Sequence, residues 1–266
     1  MIQLIGIPYD DNSSYLKGPA QAPSIIRSME TGGSANTYTE QGVDIRKDQA
    51  YIDHGDLLLD QITAQKKHDF IKSNIEKIAK EGPVCSLGGD HAIAYPLISA
   101  HTTHYQDLHV LQIDAHGDLY ENFENNPFSH ASPFARILEE GKIKKLTQVG
   151  IRSLTSHQRE QIKRYDVDVV EMKDFDLNFI ANLGSPLYIS VDLDGLDPAY
   201  APGVSHHEPG GLSTRQLLTI IHMIKSKIIG CDIVEYNPTR DINNVTAMVA
   251  YKIMKELMAK MLVVEA

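Results

Sequence analysis

With 266 residues, 42% of them apolar and 23% charged, the chain has the composition of an ordinary globular protein, long enough for one large α/β domain. A net charge of −10 argues against nucleic acid or an anionic membrane surface as a partner. No window holds the roughly 18 apolar residues that a membrane span needs. The first apolar run, 2–7 (IQLIGI), reads as a buried strand. A loop-like stretch rich in Asn, Ser, Pro and Gly follows at 8–24. A helical pattern at 61–81 precedes the strand 84–87 (VCSL), and another at 91–104 precedes 108–113 (LHVLQI). A second loop-like segment, 119–129, leads into a helix at 131–141 and the strand 146–151 (LTQVGI). Next come a helix at 155–165 and the strands 167–171 and 187–191 (LYISV). A third loop at 197–212, a helix at 213–227, the strand 228–234 (IIGCDIV) and a helix at 244–263 complete the pattern.

Several of these runs are rich in β-branched residues and bounded by Gly, Pro or Asp, and they alternate with longer amphipathic stretches. This pattern predicts a single three-layer αβα domain over 1–266 whose central sheet is mostly parallel. The two cysteines, Cys85 and Cys231, both lie inside apolar runs and read as reduced core thiols of a cytoplasmic protein. The segment MIQLIGIPYD lacks the basic region of a signal peptide.

Three short motifs stand where predicted strands end, the edge at which open α/β sheets bind ligands. DAHGD follows LHVLQI and carries Asp114, His116 and Asp118. In extended chain, residues i, i+2 and i+4 point the same way, so two carboxylates and an imidazole converge. SVDLD adds Asp192 and Asp194, and GGDH after VCSL adds His91. Taken singly, each motif also suits a solvated strand end or a turn. Together they place four aspartates at one edge, and such a cluster repels itself unless cations offset it. Two divalent ions match four carboxylates, with two imidazoles completing the shells. Oxygen-rich ligation of this kind suits Mn2+ better than Zn2+.

GGDH, DAHGD and SVDLDGLDP resemble the signature motifs of the ureohydrolase family, which comprises arginases, agmatinases and formimidoylglutamases. NSSYLKGPAQAPSIIR, FSHASPFARILEEG, QVGIRS, APGVSHHEPGGLS and VEYNPTRD further resemble the plant-type arginase branch, itself similar to bacterial agmatinases. The resemblance implies an arginase-like fold and two manganese ions per chain. His91, Asp114, Asp118 and Asp192 would hold one ion, and Asp114, His116, Asp192 and Asp194 the other, with Asp114 and Asp192 bridging. It also implies that Glu235 pairs with the substrate guanidinium, that Asp118 moves a proton in the reaction, and that His130 shuttles protons. Read alone, His130 also suits the surface at a helix start, and Glu235 a solvated strand end.

The implied activity is hydrolysis of a small cationic guanidino compound with release of urea, in a trimer or hexamer. Arginine is the first expectation and agmatine the alternative. Loop 119–129, with Asn126, looks like that of plant-type arginases, whereas Ser153 stands where animal-type arginases carry an aspartate that reads the α-amino group. Formimidoylglutamate fits less well, because the members that use it generally lack a histidine at the position of His130. Rival readings are a silent binding protein on the same fold and a single-zinc deacetylase-like hydrolase. His206, His207 and Arg152 receive no role from sequence; the first two lie in a loop that can rim the pocket.

Overall fold

The computed structural model describes residues 1–47 and 50–262. Eight strands form one sheet: β1 (Ile2–Gly6), β2 (Tyr51–Asp56), β3 (Val84–Leu87), β4 (Leu108–Ile113), β5 (Ile143–Ile151), β6 (Asp168–Glu171), β7 (Leu187–Asp192) and β8 (Ile228–Val234). Their order across the sheet is β2-β1-β3-β8-β7-β4-β5-β6, and every neighbouring pair is parallel. The expected mostly parallel sheet is therefore parallel throughout. The chain fills one flank with β1–β3 and the other with β4–β6, then returns to place β7 and β8 between β3 and β4. The strand order reverses across that central gap, the kind of crevice where α/β sheets bind ligands.

Helices cover both faces. α1 (Ala22–Thr31), α6 (Thr214–Met223) and α7 (Val245–Leu262) pack on one face with Ile26, Leu217, Ile220, Tyr251 and Leu257. α2 (Ala64–Ile78), α3 (Ala94–His101) and α4 (Pro133–Glu140) pack on the other with Ile71, Ile75, Leu97, Ile98 and Phe134. α5 (Ser156–Tyr165) opens with a capping box formed by Thr155 and Gln158, and Ser213 with Gln216 does the same for α6. Each box satisfies amide donors that a helix start otherwise leaves unpaired. Strand side chains alternate between the layers: Leu4 and Cys85 join the first core, Ile5 and Val84 the second. Cys85 and Cys231 are register partners across β3 and β8, buried and free.

Two elements were absent from the sequence expectation. β2 is an edge strand with five exposed residues out of six, so it lacks the apolar signature of the inner strands. α1 starts inside the segment read as loop 8–24, because Ala22 and Pro23 open it directly after a Gly- and Pro-bearing 3-10 turn. Position 263, the last of the expected helix 244–263, lies outside the described residues.

Candidate metal centre

Four adjacent central strands, β3, β8, β7 and β4, deliver the functional side chains from their C-terminal ends. After β3, Gly88 and Gly89 turn the backbone past Tyr9. A Cβ on Gly89 would meet the Tyr9 carbonyl oxygen at 1.6 Å, so only glycine fits. The Asp90 side chain then accepts the Ala92 amide and caps a 3-10 turn that begins at His91. After β4, Asp114 and His116 leave in near-extended chain, with His116 bridged to Ser153. Asp118 reaches the cluster differently: its φ of 49° is left-handed, so the simple i, i+2, i+4 picture fails at its third residue. Glu235, immediately after β8, is also left-handed at φ 62°. Non-glycine residues held there carry local strain, and such strain gathers at functional sites.

The buried Nδ1 of His91 faces three carboxylate oxygens: Asp118 Oδ2 at 3.0 Å, Asp114 Oδ2 at 3.1 Å and Asp192 Oδ2 at 3.2 Å. It makes no hydrogen bond with any of them. An orphaned imidazole nitrogen surrounded by carboxylate oxygens has the geometry of ligands turned toward a common cation. His116 Nδ1 lies 3.0 Å from Asp194 Oδ2 and 3.6 Å from Asp114 Oδ1. Two groups of ligand atoms result, His91–Asp114–Asp118 and Asp114–His116–Asp194, sharing Asp114. Asp192 joins the first through its contact with His91, while its other oxygen accepts the Asp194 amide at 2.7 Å. The donor set therefore fits a metal centre.

Electrostatics express the same demand. Burial, then Asp194 and Asp114, push the Asp192 carboxyl well above its usual range. Burial and then Asp114 push Asp118 up to about 6. Burial opposes protonation of His116, yet Asp194 and Asp114 pull it up to about 12. A cluster this hungry for positive charge takes it from protons or from cations, and cation binding releases protons.

Buried polar side chains beneath the ligands fix their orientation. His91 Nε2 lies 2.9 Å from Ser190 Oγ, which donates to Asp232 Oδ1 at 2.7 Å, and Tyr188 donates to Asp232 Oδ2 at 2.8 Å. With the Ser190 proton spent on Asp232, Nε2 must donate to Ser190, which leaves the Nδ1 lone pair for the metal site. Gln112 donates to Asp114 Oδ2 at 2.7 Å and is itself held by Gln148 at 2.6 Å. Sequence reasoning missed all of these. The available signal was a polar residue interrupting each apolar run.

Glu235 and His130 close one wall. Glu235 Oε1 accepts from the His91 amide at 2.8 Å and from His130 Nδ1 at 2.8 Å, so Oε2 remains to receive a ligand. Burial opposes ionisation of Glu235, but His130 holds it below the usual range. A cavity of about 200 Å³ lies over the cluster, lined by Asp118, Asp192, Asp194, His130, Ser153 and Glu235 among others. His206 lies on its rim, with ring centroids 5.5 Å from His130 and 6.1 Å from His116. Asn126 does not line it: its Nδ2 donates to Asn12 Oδ1 at 3.0 Å and its Oδ1 accepts the Phe128 amide at 3.0 Å, so both ends of the amide are spent on loop structure. His207 is also spent, on the Pro202 carbonyl at 2.7 Å. Arg152 ties loops together, donating to the carbonyls of Asp194 at 2.7 Å and Glu208 at 2.8 Å.

Known proteins resemble the chain along nearly its whole length. The Arginase family profile matches residues 1–260. Arginase 1, mitochondrial, of Arabidopsis thaliana is 43% identical over 273 residues, covering 97% of this chain and 80% of that protein. An agmatinase of Bacillus cereus is 32% identical over 268 residues, covering 97% and 90%. Among solved structures, the arginase from Medicago truncatula superposes with a TM-score of 0.92 at 41% identity, covering 98% of this chain and 87% of that one. A parallel sheet whose central strands converge on a His/Asp cluster, matched over this length and at this identity, makes the chain a hydrolase of the arginase family.

Proposed function

We propose that the protein hydrolyses arginine to ornithine and urea with two manganese ions per chain. The observation that carries this reading is the Glu235 carboxylate, which lines a pocket of about 200 Å³ beside the His/Asp cluster and is held through Oε1 by His91 and His130. A planar guanidinium matches such a carboxylate, and charge-assisted hydrogen bonds orient it. When bound, paired divalent cations lower the pKa of water toward neutrality and offset the carboxylates. His91, Asp114, Asp118 and Asp192 would hold one, and Asp114, His116, Asp192 and Asp194 the other.

The chain's own groups do the rest. Asp118, lining the pocket beside Asp192, accepts the proton of the attacking water and passes it to the departing amine. His130, hydrogen-bonded to Glu235, exchanges the remaining proton with solvent. Plant arginases at 43% identity support arginine as substrate. Agmatine is the second reading, favoured by the bacterial relative and by a pocket that no Lys or Arg lines among the described residues, leaving hydroxyl and amide groups to meet an α-carboxylate. The trimer or hexamer is part of the proposal, and sedimentation measures it.

The deciding assay is urea release with Mn2+ from arginine, agmatine, guanidinobutyrate and guanidine. Turnover is expected to be highest on arginine. A preference for agmatine transfers the assignment to the second reading, and release from none of the four refutes both.

A further inference from the structure

His130 is 8% exposed, and both of its ring nitrogens are occupied. Nδ1 faces Glu235 Oε1 at 2.8 Å, while Nε2 lies 3.2 Å from the Ser14 amide nitrogen and 2.8 Å from Ser14 Oγ. A backbone N–H can only donate, so Nε2 carries the lone pair and the ring proton sits on Nδ1, donating to Glu235. In this arrangement no ring nitrogen opens directly onto the pocket. Ser14 does: it is exposed and lines the same cavity as Glu235 and Asp118.

Ser14 is also held in place by its neighbours. The buried Asp90 carboxylate accepts from the Asn12 amide at 3.0 Å and from Ser13 Oγ at 3.2 Å. Asn12 donates to Tyr9 Oη at 2.7 Å and accepts from Asn126 at 3.0 Å. With the preceding backbone pinned this way, the Ser14 hydroxyl rotor is the moving part between His130 and pocket water.

We propose that the Ser14 hydroxyl is the relay through which His130 exchanges protons with the pocket. This deepens the reading above, in which His130 handles the proton of guanidino hydrolysis. In the step, the Ser14 O–H proton passes to His130 Nε2 while Ser14 Oγ takes a proton from pocket water or from the product ammonium. The hydroxyl is restored, His130 becomes imidazolium and the donor is one proton poorer; the reverse step returns the proton. The imidazolium Nε2–H then opposes the Ser14 amide N–H, which favours that return. Ser14 acts through His130, so it is a positioning and relay residue.

Ser14→Ala keeps the amide and deletes the relay. The expected result is a kcat about a hundredfold lower, the lower end of the range for general acid–base catalysis. KM and metal content stay unchanged, the solvent deuterium isotope effect on kcat grows, and Ser14→Thr restores turnover. Wild-type kcat in Ser14→Ala overturns the proposal, as do a loss explained by metal release or by KM alone, and a Ser14→Thr variant no better than Ser14→Ala. A second measurement needs no turnover: imidazole 15N shifts of the Zn2+-loaded full chain should show His130 protonated at Nδ1 and bare at Nε2. A proton on Nε2 overturns the relay. If the wild type releases urea from no guanidino compound, the functional reading fails, and the 15N result still decides the hydrogen-bond arrangement on which the relay depends.

Discussion

Ser190 lies outside the ligand set, yet its removal should weaken one of the two proposed metal positions. In the wild type, His91 Nε2 donates to Ser190 Oγ at 2.9 Å, so Nδ1 is free to bind a cation. In Ser190→Ala without metal, the imidazole can move its proton to Nδ1, where three carboxylate oxygens 3.0–3.2 Å away stabilise it by charge. Metal binding must then return the proton to Nε2, in a site where His91 is 1% exposed and no acceptor remains. An unsatisfied buried donor costs about 1–3 kcal/mol. At roughly 1.4 kcal/mol per tenfold, the affinity of the His91 position should fall about 5- to 100-fold, in line with the roughly 10- to 100-fold loss typical of outer-shell partners. The His116–Asp194 position should fall less, coupled only through Asp114. Competitive chelator titration of manganese resolves the two positions. Unchanged affinity at both, or equal loss at both, would refute the tautomer argument.

Other perturbations separate the roles of neighbouring groups. Asp114→Ala removes the carboxylate shared by both ligand groups, so metal content measured by atomic emission should collapse along with turnover. Glu235→Gln should keep its metal and lose about 10- to 100-fold in turnover, the worth of one charge-assisted hydrogen bond. Metal loss in that variant would contradict its substrate-facing role. Arg152→Lys replaces a planar fork by a point charge that cannot span the carbonyls of Asp194 and Glu208, and should cost about 1–3 kcal/mol of stability by denaturant titration. A midpoint equal to wild type would remove Arg152 as a loop clamp. Burial pushes His101 down to about 4, below the unfolded value of about 6.5. Its contribution is therefore complete above pH ~6.5 and is lost as pH falls toward 4, with an upper bound of about 3 kcal/mol. Denaturation midpoints across that window should fall less steeply in His101→Gln than in the wild type, and identical slopes would refute the assignment.

The sequence made legible whatever was carried by short-range pattern and missed what depended on burial or register. His91, Asp114, His116, Asp192 and Asp194 stand at the ends of apolar strands, so chemistry and strand position coincided in a few residues. β2 escaped because YIDHGD is solvated at the sheet edge, and hydrophobic periodicity registers only strands that are buried. Asp118 reached the cluster through a left-handed turn that no alternation rule anticipates. The supporting side chains are the most instructive omission. Gln148, Gln112, Ser190, Asp232 and Ser86 are successive register partners across β5, β4, β7, β8 and β3, forming one buried polar row under the metal cluster.

Two of those five were readable. Gln112 precedes Asp114 by two residues and Ser190 precedes Asp192 by two, so strand periodicity alone puts each on the same face as its ligand. A polar residue in a fully buried strand needs a partner; Gln112 finds it in Asp114 of its own strand, whereas Ser190 finds it in His91 and Asp232 of other strands. Asp232 breaks the phase, standing three residues before Glu235, and only the left-handed bend at Glu235 reconciles the spacing. Side chains that orient a ligand from within its own strand can thus be inferred from spacing. Those that act from the neighbouring strand, as Asp232 does on Ser190, require the register, which is set by packing contacts far apart in the chain.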